Sequence, residues 1–239
     1  MRKIFIVLSI SLALNANCDL NAIKLVSSYK EIKKCENNRI FLKNGKSFIY
    51  DDGRKKSFYE LLNSPDIEDM FHYKYPKHWV TKLPKNYDPG RIRYEPFFRA
   101  IYGDSPREVR KNLVAIKWID GSRVLVTKKE GVANALRGVV RDLQKLPPSY
   151  KKYLVPVGGT FKWRKIAGTN RLSVHSFGAA IDINVKHSAY WRWSKGAYRY
   201  QNKIPKEIVE IFERHGFIWG GKWYHYDTMH FEYRPELLR

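Results

Sequence analysis

The strongest constraint on this chain is a pair of short segments whose polar residues are coherent only if the fold brings them together. One is Ser173-Val174-His175-Ser176-Phe177-Gly178-Ala179-Ala180-Ile181-Asp182, and the other is Asp227-Thr228-Met229-His230-Phe231-Glu232. In the first, Ile181 and Ile183 alternate with Asp182 and Asn184. That period of two predicts a strand that buries its isoleucines and turns Asp182 to the opposite face. Gly178, Ala179 and Ala180 are small, which would let the backbone pass close to a bound metal. Together the segments offer two histidines and a carboxylate as ligands, with a second carboxylate near the last histidine.

These residue types suit a hydrolytic zinc site. Zinc held by two imidazoles and one carboxylate keeps its fourth position for water. The metal acidifies that water towards neutral pH and can polarise a scissile carbonyl. A carboxylate off the metal then accepts the water's proton and passes it to the leaving amine. His175, Asp182 and His230 are the candidate ligands and Asp227 the candidate base. The chain has seven histidines, and spacing alone leaves His187 and His225 open as the third ligand.

The remaining pattern predicts an α+β fold. Ser57 and Glu60 are spaced as a capping box. Residues 95–102 read as a helix closed by Gly103, and residues 114–119 and 123–127 as a hairpin about Asp120-Gly121. An amphipathic helix follows over 130–146, stopped by Pro147-Pro148. A helix over 205–215 and a strand over 229–233 complete the chain. Residues 19–50 are lysine-rich and weakly patterned, and read as an extension rather than core.

The N-terminus narrows the setting. Met1-Arg2-Lys3 precedes an apolar run from Ile4 to Leu14, then Asn15-Ala16-Asn17. That is the layout of a secretory signal peptide over residues 1–18, too short to span a bilayer as a helix. Export to the periplasm or cell envelope, or secretion, is expected, with no membrane span after its removal. The two cysteines, Cys18 and Cys35, could form a disulfide in that setting; lipidation of Cys18 is the alternative. Net charge is +22, from 45 Lys and Arg against 23 Asp and Glu. Such a surface suits an anionic polymer: nucleic acid, an anionic membrane, or peptidoglycan with its free carboxylates.

The run Ser173-x-His175-x-x-Gly178-x-Ala180-x-Asp182 resembles the signature of VanY/VanX-type D-alanyl-D-alanine peptidases, a family that includes L-alanyl-D-glutamate endopeptidases. Asp227-x-x-His230 is similar to its second motif, with Asp where some members have Glu. Gly220-Gly221-x-Trp223, Met229-His230-Phe231-Glu232 and the approach segment from Arg164 to Ser173 look like the endopeptidase-like branch. The resemblance covers roughly residues 88–238, leaving 19–87 as an N-terminal extension of open role and 88–239 as the catalytic domain. It implies the Hedgehog/D,D-peptidase fold, a small antiparallel sheet flanked by helices. It also implies zinc on His175, Asp182 and His230, with Asp227 as base. Arg164 would steady the substrate or the developing oxyanion, and Ser173 and Trp223 would contact substrate. The expected substrate is a peptidoglycan stem peptide, cut by carboxypeptidase-like or endopeptidase-like action.

Two other functional classes fit parts of this pattern. A non-catalytic, zinc-containing wall-binding module would keep the fold and perhaps the metal, but would have no need of Asp227. A nucleic-acid-binding protein would fit the charge, but the leader and the lack of any nucleic-acid motif exclude it from the expected partners. Oligomeric state has no signature in the sequence.

Overall fold

The computed structural model describes residues 18–239. The leader read over residues 1–18 therefore lies outside the described residues except for Cys18, which is disulfide-bonded to Cys35. Helix α1 (Leu20–Ser28) begins at Asp19, whose side chain accepts the Ala22 N–H. A three-stranded antiparallel meander follows: β1 (Ile32–Glu36), β2 (Arg39–Leu42) and β3 (Ser47–Ile49). Asn37 and Asn38, both at positive φ, make its first turn, a conformation that asparagine tolerates and that matches strand twist. Although weakly patterned, this segment contributes Ala22, Leu25, Ile32, Ile40 and Leu42 to the same buried core as Phe97, Val139 and Phe231. Few apolar residues fall on strands this short, so alternation has little length in which to show.

Helix α2 (Phe58–Asn63) carries the expected capping box, Ser57 with Glu60. Helix α3 (Glu95–Tyr102) ends at Gly103 and buries Phe97, Phe98, Ile101 and Tyr102; the short α4 (Pro106–Arg110) follows. Strands β4 (Leu113–Lys117) and β5 (Arg123–Thr127) form the expected hairpin, in register from Leu113 opposite Thr127 to Lys117 opposite Arg123. Helix α5 (Val132–Leu143) buries the stripe Val132, Leu136, Val139, Val140 and Leu143 and stops ahead of Pro147-Pro148. A one-turn helix α6 (Lys151–Leu154) follows it.

The second half builds the sheet that matters for chemistry. Strands β6 (Ala180–Asp182), β7 (Phe217–Trp219) and β8 (His230–Tyr233) form an antiparallel sheet with β8 in the centre, and helix α7 (Lys206–Arg214) precedes β7. Phe231 points to the buried face and stacks on Phe212 of α7 at 3.9 Å between ring centroids. His230 and Glu232 take the other face, as a strand's alternation requires. The α+β expectation holds. Among the described residues no helix is long and apolar enough to cross a membrane.

Candidate metal centre and its pocket

Register places the first pair of site residues. Asp182 on β6 lies directly opposite His230 on β8, so their side chains leave the same face at neighbouring positions. His175 arrives from a 3-10 turn, Val174–Phe177, capped by the Ser173 hydroxyl, which accepts the His175 N–H. Gly178 ends that turn at φ +65 with its carbonyl on the Thr127 N–H; an added Cβ would lie 2.7 Å from Leu113 and 3.0 Å from the Thr127 nitrogen. Ala179 and Ala180 are wholly buried in the core. The small residues of this motif thus answer to packing against β5 and the core, not to close passage of the backbone by a metal, as the sequence suggested. Asn184, expected on the Asp182 face, ties its amide to the Lys152 and Val155 carbonyls at the end of α6.

The three expected ligands converge. His175 Nε2 lies 3.1 Å from Asp182 Oδ1 and 3.2 Å from His230 Nδ1, and His230 Nδ1 lies 2.9 Å from Asp182 Oδ1. Each imidazole is fixed from behind. His175 Nδ1 faces the Thr160 carbonyl at 2.5 Å, and His230 Nε2 faces the Glu232 carboxylate at 3.0 Å. Both partners only accept, so those nitrogens carry the protons. In the neutral tautomers, two bare nitrogens and a carboxylate oxygen then point at one another. Such a triangle of acceptors is stable only around positive charge. Tetrahedral zinc with bonds of about 2.0–2.1 Å sets its ligand atoms roughly 3.3 Å apart, so the donor set and its spacing both fit a small divalent cation.

The electrostatics tell the same story. Burial disfavours a charged His230, but Asp182 and then Glu232 outweigh it and raise its affinity for a proton to about 10. A proton on His230 or a metal ion can satisfy that demand. Despite burial, His175 and His230 hold Asp182 well below the ordinary carboxylate range. Glu232 is held down likewise by Arg93 and His230. The acidic groupings around Asp66 could also hold an ion by proximity, but Lys56 already bonds Asp52, Asp66 and Asp69.

Asp227 sits beside the trio without joining it. Its N–H donates to the Gly220 carbonyl, closing a loop back on itself. Gly220 permits this, since a Cβ there would lie 2.5 Å from the Asp227 carbonyl oxygen. Asp227 Oδ1 is buried with no hydrogen-bond partner among the described residues. Burial pushes this carboxyl up to about 6; Asp182 adds to the rise, while His230, His175 and Arg91 oppose it. A raised, unpartnered carboxylate beside a cation site can take up and release a proton near neutral pH.

A cavity of about 290 Å³ joins these groups, lined also by Arg164, Ser173, Trp223, Arg91 and Arg93. Trp223 forms a wall, its ring 5.6 Å from His230 and its Nε1–H on the Pro89 carbonyl. Arg164 is exposed at the rim. Neither histidine left open by spacing joins the trio, although His225 lines the same cavity. His225 Nδ1 is paired with Asp88 at 2.6 Å, and His187 packs edge-on to Tyr153.

Sequence reasoning missed what stands behind His230. Glu232 accepts two bonds from Arg93 and one from Arg234; Arg234 bonds Glu236, which in turn accepts the Tyr29 hydroxyl at 2.8 Å. Glu232, Arg234 and Glu236 are fully buried. The clue was the alternation of Glu232, Arg234 and Glu236, running from the last strand into the C-terminal 3-10 turn.

Residues 167–233 match the family model described as D-alanyl-D-alanine carboxypeptidase. The match spans Ser173, His175, Asp182, Trp223, Asp227 and His230, and leaves Arg164, Arg91 and Arg93 outside it. It bears out the resemblance to VanY-type peptidases and points to a peptidase. No curated protein matches the chain.

Proposed function

We propose that this protein is an exported zinc metallopeptidase that hydrolyses a peptide bond in peptidoglycan stem peptides, by carboxypeptidase-like or endopeptidase-like action. The observation that carries this reading is the triangle of three lone-pair donors with an unpartnered, proton-hungry carboxylate beside it. His175, Asp182 and His230 would hold the zinc, which when bound acidifies a water and polarises the scissile carbonyl. Asp227 takes the proton released as water attacks and delivers it to the departing amine. Arg164, at the rim, offers a cation to the oxygen that gains negative charge. Trp223 and Ser173 shape the wall against which the peptide lies. The leader and the net charge of +22 support an envelope setting and an anionic wall polymer as partner.

The test is mass spectrometry of stem peptides after incubation with residues 18–239, which keep the Cys18–Cys35 disulfide, run with zinc, with chelator, and with Asp227→Ala. Cleavage that needs both zinc and Asp227 is expected, and the product mass names the bond. Asp227→Ala should still bind zinc, whereas His175→Ala, Asp182→Ala and His230→Ala should each lose metal and turnover together. Cleavage that persists in chelator, or in Asp227→Ala, would sink the mechanism.

A further inference from the structure

Between β6 and α7 the chain carries a 3-10 turn, Trp191–Trp193, whose two indoles line the metal cavity. The mechanism above makes no use of it. Folding normally withdraws most of an indole from water, so one left open carries information. Trp193 is 55% exposed, yet it lines the same cavity as His175, Asp182, Asp227 and His230. Tyr190 braces it in a T-shaped contact, 5.6 Å between ring centroids.

The turn is tied to the segment that carries Asp227. Tyr190 and Asp227 pair as an antiparallel bridge, and the Trp191 N–H donates to the Tyr226 carbonyl at 3.0 Å. The Ser194 and Tyr226 hydroxyls meet at 2.6 Å, and the Thr228 N–H donates to the Ala189 carbonyl at 2.9 Å. A ligand resting on Trp193 therefore has no loop to order first. Arg192, exposed between the indoles, lies over the Trp191 ring and gives one donor to the Ala167 carbonyl at 3.3 Å. A guanidinium has five donors, so others stay free for a ligand's oxygens.

Whatever covers Trp193 continues what lies in the cavity. The two kinds of stem-peptide bond considered above join alanine to alanine or alanine to glutamate, and neither residue has a broad apolar face. A sugar ring does. One face of a pyranose presents C–H bonds, which the negative face of an indole attracts, and its edge presents oxygens to which a guanidinium can donate. In the wall, stem peptides are joined to such a ring at their N-terminal end. A bilayer surface also takes tryptophan flanked by basic residues, but a flat surface does not follow a ring into a cavity wall.

We propose that Trp193 is a sugar subsite, receiving the glycan ring to which the stem peptide is attached, with Arg192 donating to that ring's oxygens. This rests on the peptidase reading above. It makes the preferred substrate a glycan-linked peptide rather than a released one.

The experiment compares a free stem peptide with the same peptide attached to its N-acetylated disaccharide. Binding is read by calorimetry on zinc-loaded Asp227→Ala, where turnover plays no part, and kcat/KM on the active protein. The sugar should tighten binding about tenfold, through KM rather than kcat. Trp193→Ala, which trims an exposed ring, should bring that ratio to near one, and Trp193→Phe should recover part of it. No preference for the glycan-linked peptide in the wild type, or a ratio that Trp193→Ala leaves intact, would overturn the proposal. Phosphatidylglycerol vesicles that bound the wild type but not Trp193→Ala, with no sugar preference, would overturn it in favour of a membrane surface. Sugar preference without any cleavage would sink the peptidase reading and keep the subsite. Cleavage without sugar preference would do the reverse.

Discussion

Replacing Glu232 by Gln tests whether the buried charge network holds the metal site. The Glu232 carboxylate receives four donors. Oε1 takes Arg93 Nε at 3.1 Å and Arg234 Nη1 at 3.3 Å; Oε2 takes Arg93 Nη2 at 2.5 Å and His230 Nε2 at 3.0 Å. Glutamine has the same shape, but one end becomes an NH₂ group that only donates. Whichever way the amide turns, two of the four contacts become donor against donor. The substitution also leaves Arg93 and the fully buried Arg234 short of a countercharge. Breaking a buried pair by removing one partner costs about 3–5 kcal/mol. For a domain of this size that is roughly 6–20 °C in unfolding temperature. A carboxylate behind a ligating imidazole is worth about 10–100-fold in metal affinity, or about 1.4–2.8 kcal/mol. Two measurements separate these effects: thermal unfolding in chelator, and zinc competition against a chromophoric chelator well below the unfolding temperature. A Glu232→Gln protein that unfolded at the wild-type temperature and bound zinc with wild-type affinity would refute the reasoning.

Three further outcomes follow from named contacts. Tyr29→Phe removes the hydroxyl that donates to buried Glu236 and should cost about 1–2 kcal/mol in urea unfolding, with kcat unchanged at saturating zinc. Cys35→Ser opens a crosslink that spans a separation of 17 residues and should cost about 3 kcal/mol, read from the shift in denaturant midpoint. Gly220→Ala sets a Cβ 2.5 Å from the Asp227 carbonyl oxygen. The loop must shift, so kcat should fall about a hundredfold while zinc stays bound, as metal analysis beside steady-state kinetics would show.

The elements with long, regular patterns were legible in the sequence. The stripe of α5, the hairpin about Asp120-Gly121 and the capping box of α2 are local, since propensity, turn chemistry and periodicity act over a few residues. The polar pairings between distant elements were not. That Arg93 and Arg234 converge on Glu232, or that Tyr29 closes the same network at Glu236, depends on which elements the core brings together. Nothing in the spacing of those residues encodes it. Gly178 was legible as one of three small residues, but not the reason a glycine is needed there, because its close neighbour, Thr127 on β5, is remote in the chain.

The sequence by itself determined the donor set of the candidate site. Two histidines, an aspartate on a two-residue alternation and a second aspartate before the last histidine are chemistry written in residue types. It also determined the strongly basic balance of the chain, which follows from composition alone. Tertiary structure decided the rest. The pairing of Asp182 opposite His230 across β6 and β8 brought His230, rather than His187 or His225, to the other two candidate ligands. The carbonyl of Thr160 and the carboxylate of Glu232 chose which imidazole nitrogens face inward. Only the folded packing set Arg171 beside Arg91 and Arg93, with Glu95 as the opposing acid and its own Nε without a hydrogen-bond partner. Short-range forces act within a segment and can be read from it, whereas register, tautomer and unpaired charge exist only once separate segments share one space.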